Sequence, residues 1–136
     1  MIRISEKLRQ QIAKNANFKC EYCLTPEFFL ATTFHIDHIR SIKHGGKAIP
    51  QNLAYACPHC NQNKGSDIAS YTDDDELTRL FNPRIDIWDD HFEVKKSGII
   101  VSISQIGEAT INTLSFNQIE RVIFRKSLIE IGVISS

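Results

Sequence analysis

Apolar residues recur at every fourth position through Ile4, Leu8, Ile12 and Ala16, with charged and amide side chains between them. That spacing lines one face of a helix, and Ser5 stands where an N-cap is needed, so a helix is predicted over residues 4–16. The pattern then shifts. Thr32, Thr33, Phe34 and Ile36 favour a strand, on which His35 and Asp37 share one face by the two-residue period. Gly45-Gly46 marks a loop, and Pro50 blocks a helix immediately before Asn52. A polar run, Asn61-Gln62-Asn63-Lys64, ends at Gly65, which suits the C-terminus of a short helix.

Further on, Asp73-Asp74-Asp75-Glu76 ahead of Leu77 reads as the solvated acidic start of a helix that Pro83 ends. The aromatics from Trp88 to Phe92 are expected to pack on the N-terminal core, with His91 a structural residue among them. Glu93 to Ser104 reads as a hairpin around Ser97-Gly98, with Val94, Ile99, Val101 and Ile103 on one buried face. Asn117 and Glu120 have capping-box spacing, and Ile119, Val122, Ile123, Leu128 and Ile129 continue as a C-terminal helix with an apolar core-facing stripe.

Composition narrows the class. The chain has 136 residues, 42% of them hydrophobic and 24% charged, which fits one compact unit or a small domain with an extension. No run approaches the ~20 apolar residues of a membrane span. The charged N-terminus leaves no continuous apolar core for a secretory signal, so a soluble, cytoplasmic protein is expected. Sixteen basic and sixteen acidic residues cancel overall. The balance is uneven along the chain: residues 1–64 hold nine Lys and Arg against four Asp and Glu, residues 65–136 seven against twelve. A basic first half can meet a phosphate backbone even in a neutral chain.

All four cysteines lie in that basic half, as Cys20-Glu21-Tyr22-Cys23 and Cys57-Pro58-His59-Cys60. Two residues between cysteines let a tight turn aim both sulfurs at one point, and two such knuckles complete the tetrahedron of a structural Zn²⁺. Disulfides are disfavoured in a reducing compartment, and no strand-helix context for a redox pair is visible. Four thiolates leave no open coordination position, so this ion would hold the fold and activate nothing. His59 is read as a surface residue of its knuckle.

Between the knuckles lie His35, Asp37 and His38, followed by Asn52; Asn61 comes directly after Cys60. Taken singly, none is informative. Together, a carboxylate, an adjacent imidazole and a downstream amide bracketed by metal knuckles make chemistry plausible.

The string Cys20-x-x-Cys23, His35-Ile36-Asp37-His38-Ile39, Gly45-Gly46, Asn52-Leu53-Ala54, Cys57-x-x-Cys60-Asn61-x-x-Lys64-Gly65 closely resembles the zinc-stapled HNH endonucleases. Leu80-Phe81-Asn82-Pro83-Arg84-x-Asp86-x-Trp88-x-x-His91-Phe92 and Ile106-Gly107-x-Ala109-Thr110 resemble the C-terminal extension of one bacterial subfamily. The resemblance implies an α+β protein with a ββα-metal (His-Me finger) core stapled by a four-cysteine zinc site, plus a C-terminal β-hairpin and helices. Residues 1–70 would form the nuclease core and residues 71–136 an accessory extension packed on it. Carried over by position, His38 is the general base, Asp37 and Asn61 ligands of a catalytic divalent metal, and Asn52 the residue that braces the loop and the base. Asp37 stands where this subfamily often has Glu, and Arg40-Ser41 where related sequences often have Pro. His35 has no fixed role in the pattern and is kept as a possible additional site residue.

The residue types suit phosphodiester hydrolysis. A neutral imidazole with an unperturbed pKa of ~6.5 takes a proton from water near neutral pH. One carboxylate and one amide oxygen leave most positions of an octahedral Mg²⁺ or Mn²⁺ for phosphate and water. Arg40, Lys43, His44, Lys47 and Lys64 would contact DNA phosphates without conferring sequence choice. The rival expectations are a non-catalytic zinc module that binds nucleic acid or protein, and a thiol-redox protein.

Overall fold

The computed structural model describes residues 4–136, which divide into two compact units. One unit runs to Ile68 and takes in Asn82–Ile85; the other comprises Ala69–Phe81 and Asp86–Ser136. No helix among the described residues is long and apolar enough to cross a membrane.

In the first unit, helix α1 (Glu6–Asn15) begins as its sequence predicts: the Ser5 side chain accepts from the Leu8 amide, and Ile12 and Ala13 turn inward. Asn17 and Phe18 both adopt left-handed conformations just beyond it, which turns the chain into the first knuckle. Strand β1 (His35–His38) pairs antiparallel with β2 (Leu53–Ala56), matching His35 with Ala56 and His38 with Leu53. Every residue of β2 is buried, so the small sheet is the floor of this unit. Helix α2 (Pro58–Lys64) follows at once, with Cys57 as N-cap, Pro58 in the first turn where its missing N–H costs nothing, and Gly65 at the C-cap. Pro50 opens a single 3-10 turn over Pro50–Asn52, a local exception to the expected block.

The second unit contains two hairpins and two helices. Strands β3 (Ala69–Tyr71) and β4 (Leu77–Arg79) pair antiparallel. A strand therefore replaces the helix expected after the acidic run. The Thr72 hydroxyl accepts from the Glu76 amide, the Thr72 amide donates to the Glu76 carbonyl, and Asp75 is left-handed, so the acidic residues form a reversal and do not start a helix.

Strands β5 (Phe92–Val94) and β6 (Ile100–Ser102) make the expected hairpin, turning at left-handed Gly98. Its inward residues are Phe92, Val94 and Ile100, whereas Ile99 and Ile103 are exposed. The expected face is one residue out of step on the second strand because Val94 pairs with Ile100.

Helix α3 (Gln105–Leu114) is not among the elements expected from the sequence, although its residues have an amphipathic pattern comparable to that of α1. Ser104 caps it, and Gly107 lets it approach closely, since a Cβ there would overlap the His91 carbonyl. His91 also bonds the Ser104 hydroxyl through Nδ1, which makes it a structural residue. Trp88 and Phe92 meet at 4.9 Å between ring centroids, and Phe92 also meets Phe81 and Phe116 within this unit.

Helix α4 (Ile119–Glu130) begins at Gln118 without a side-chain cap. Asn117 instead brackets both the amide and the carbonyl of Ile100. The buried residues of α4 include Arg121 and Arg125, which bond the carbonyls of Leu114, Ser115, Gly98 and Phe116. Ile119 and Ile123 are exposed. Of the expected stripe, Leu128 is buried and Val122 and Ile129 are half-buried, while two guanidiniums that bond backbone carbonyls take the places expected of Ile119 and Ile123.

Candidate active site

The four cysteine sulfurs lie within 4.8 Å of one another and all four residues are buried. Cys23 Sγ and Cys57 Sγ are 3.7 Å apart, close to the ~3.8 Å edge of a tetrahedron with 2.3 Å Zn–S bonds. The Cys23 amide points at Cys20 Sγ and the Cys60 amide at Cys57 Sγ, the donor arrangement that steadies thiolates. Burial pushes the Cys20 and Cys60 thiols well above their ordinary values, so without a cation these groups stay protonated. The donor set fits structural zinc.

The knuckles fix the sheet and helix to one another. Glu21, inside the first knuckle, donates its backbone amide to the Tyr55 carbonyl of β2, takes the Tyr55 amide on its carboxylate, and pairs with Arg84. The Asn82-Pro83-Arg84 segment thereby belongs to this unit. The second knuckle passes directly into α2 and delivers Asn61 and Lys64.

The outcome is a shallow cavity of about 250 Å³ lined by Ile36, Asp37, His38, Ser41, Asn61 and Ser66 among others. His38 presents a buried Nε2 with no protein hydrogen-bond partner. Its backbone is held firmly: His38 pairs with Leu53, and its carbonyl accepts from the Lys64 ammonium at 3.1 Å. His38 thus lines the cavity on a backbone that is held at both of its sides, with one ring nitrogen left unclaimed by protein.

Asp37 is 4% exposed. Its Oδ2 accepts from the Tyr22 hydroxyl at 2.7 Å and lies 3.2 Å from Lys64 Nζ; Oδ1 is 3.4 Å from the same nitrogen. Desolvation raises its pKa, opposed by the charge of Lys64 and the hydrogen bonds from Tyr22 and Lys64. Lys64 is part of the motif, where its expected role is to meet phosphate, and Tyr22 is not marked by the spacing at all. Tyr22 sits mid-knuckle, and only its place beside the two cysteines could have pointed to it.

Lys64 departs from its expected role. At 2% exposure, with its ammonium donating to Asp37 and to the His38 and Ile39 carbonyls, it does not present charge to a nucleic acid. Arg40, Lys43, His44 and Lys47 are exposed and follow β1 in one loop.

Asn52 organises that loop. Its Oδ1 accepts from the Arg40 amide, and its Nδ2 donates to the carbonyls of Arg40 and Lys47. It braces the chain beyond His38 and makes no bond to the imidazole. Gly46 is required there, since a Cβ would overlap the Arg40 carbonyl oxygen. His35 is exposed and does not line the cavity, although it shares a strand face with Asp37. His59 is exposed on its knuckle.

The same unit holds a larger cavity, about 520 Å³, beside α1. Its polar groups include Arg9 and Glu27, which are already engaged with the Phe34 backbone and the Tyr55 hydroxyl, and none of its lining residues is a histidine.

Residues 20–67 match the family model described as HNH endonuclease, a segment that includes both knuckles, β1, β2 and α2. Comparison with curated proteins and with solved structures gives no match.

Proposed function

We propose that this chain, with its HNH endonuclease domain at residues 20–67, is a metal-dependent nuclease that hydrolyses phosphodiester bonds of DNA. The observation that carries the reading is that His38, Asp37 and Asn61 line one cavity, with the His38 Nε2 unclaimed by any protein partner. In this reading His38 takes the proton of the attacking water at Nε2. Asn52 keeps the following loop in register, and the Arg40, Lys43, His44 and Lys47 cluster draws the phosphate backbone toward the cavity.

Asp37 and Asn61 offer one carboxylate and one amide oxygen, a hard donor pair that fits Mg²⁺ or Mn²⁺. Such an ion, when bound, supplies Lewis-acid stabilisation of the phosphoryl oxygens and of the leaving 3′ oxygen. The four-cysteine cluster would hold Zn²⁺ as a staple that keeps α2 against β1. In this reading residues 1–70 are a ββα-metal nuclease core, joined by Asn82–Ile85, and the rest of residues 71–136 is its accessory extension.

A non-catalytic zinc module that binds nucleic acid is favoured by one observation, the ion pair that already engages Asp37. Incubating the zinc-loaded protein with supercoiled plasmid, linear duplex, single strand and RNA over a panel of divalent ions separates the two. The nuclease reading expects cutting of DNA that needs Mg²⁺ or Mn²⁺; binding to all four without cutting any would support the module.

A further inference from the structure

We propose that Lys64 is a resident counter-cation of Asp37 that keeps divalent-ion binding weak in the free protein, so that the ion is held firmly only once a phosphodiester is present. This rests on the reading of Asp37 as a metal ligand. The ammonium has three protons and three sets of acceptors: the Asp37 carboxylate, the His38 carbonyl at 3.1 Å and the Ile39 carbonyl at 3.0 Å. At 2% exposure it has no water to retreat into, so its charge is fixed beside the carboxylate.

Tyr22, from the other knuckle, holds the same carboxylate through Oδ2 at 2.7 Å. The first knuckle and the helix that grows from the second therefore contribute one positioning group each, and the carboxylate is oriented before any ion arrives.

Charge counting gives the consequence. Carboxylate and ammonium together are neutral, so a divalent ion entering alone leaves the pocket at two positive charges, in surroundings where repulsion is poorly screened. A phosphodiester brings a negative charge that offsets part of this excess. Ion and phosphate then raise one another's affinity, as linkage requires of any coupled pair. Lys64 sets the starting point low, and ion occupancy follows substrate.

The test is Mn²⁺ binding to zinc-loaded protein, followed by electron paramagnetic resonance at one fixed pH for all variants. Lys64→Met is expected to tighten Mn²⁺ binding to the free protein by roughly tenfold or more, the scale on which one neighbouring charge shifts an ionic equilibrium. Lys64→Arg, which keeps the charge, is expected to leave it weak. If Lys64→Met retains its zinc and binds Mn²⁺ no tighter than wild type, the proposal is overturned.

Because Lys64→Met removes a buried partner and could unfold the unit, the wild-type fold supplies a second measurement. A duplex added to the His38→Ala protein is expected to lower the half-saturating Mn²⁺ concentration, after subtracting the duplex's own Mn²⁺ uptake; equal values with and without duplex contradict the proposal. Asp37→Asn isolates the parent reading. If wild type binds Mn²⁺ and Asp37→Asn binds it equally well, the ion does not sit on Asp37, and it is that reading which fails.

Discussion

His38 and Asp37 are neighbours in the chain, yet they meet opposite surroundings. The imidazole keeps one ring nitrogen without a protein partner, while the carboxylate is engaged by a phenol and an ammonium. Tyr22→Phe deletes one bond to a buried charge and is expected to lower unfolding free energy by ~1–3 kcal/mol. Denaturant titration with zinc content monitored would check this; an unchanged midpoint would mean the hydroxyl contributes nothing to holding Asp37.

The raised pKa of Asp37 has a definite sign. Between the ordinary carboxylate value and the raised one, the folded protein binds the extra proton more readily than the unfolded chain. The stability from this group is complete below the unfolded value and is lost as pH rises through the folded one. Asp37→Asn is expected to flatten that part of the melting-temperature profile, and a slope identical to wild type would show that another group causes it.

Legibility at this scale is partial. The positions of Asp37, His38 and Asn61 can be picked from spacing between and beside the knuckles. Lys64 cannot be assigned that way, because a lysine in a polar run looks solvated unless the three-dimensional path of α2 is known.

Among the elements, the loop from Arg40 to Asn52 is the most tightly specified. Asn52 clamps both backbone groups of Arg40, and Gly46 fills the space against its carbonyl. Gly46→Ala is expected to lower stability and, by displacing the basic loop, to weaken DNA binding while zinc content stays at one ion per chain. Intact DNA affinity would show that the loop's position is unimportant.

Helix α1, the second-knuckle helix and the β5–β6 hairpin are readable because each carries its own local signal: a cap, a Cys-Pro start, a turn glycine. The acidic run fails as a helix signal because Thr72 closes a turn on Glu76, an interaction that charge pattern alone does not reveal. On α4 the hydrophobic period is present, but Arg121 and Arg125 share the buried face with it because each bonds two backbone carbonyls there.

For the molecule as a whole, neutrality conceals a basic first half, and the structure divides that charge between presented and withheld. Arg40, Lys43 and Lys47 are exposed, whereas Lys64 is committed internally to Asp37. Replacing Lys43 and Lys47 by Gln is expected to reduce the salt slope of DNA binding by roughly 0.9 for each phosphate that is no longer neutralised. Lys64→Gln is expected to leave that slope unchanged. Fluorescence anisotropy across a salt series checks both, and a shallower slope for Lys64→Gln would return that lysine to the surface.

Nicking of supercoiled plasmid by wild type and His38→Ala, compared with Mg²⁺ or Mn²⁺ present, tests the central claim most directly. The account predicts divalent-dependent nicking by wild type and a loss of at least ~100-fold in His38→Ala, the lower range for removing a general base, with zinc content and melting temperature preserved. Equal nicking by the two proteins, or none by a zinc-loaded wild type with either ion, would contradict it.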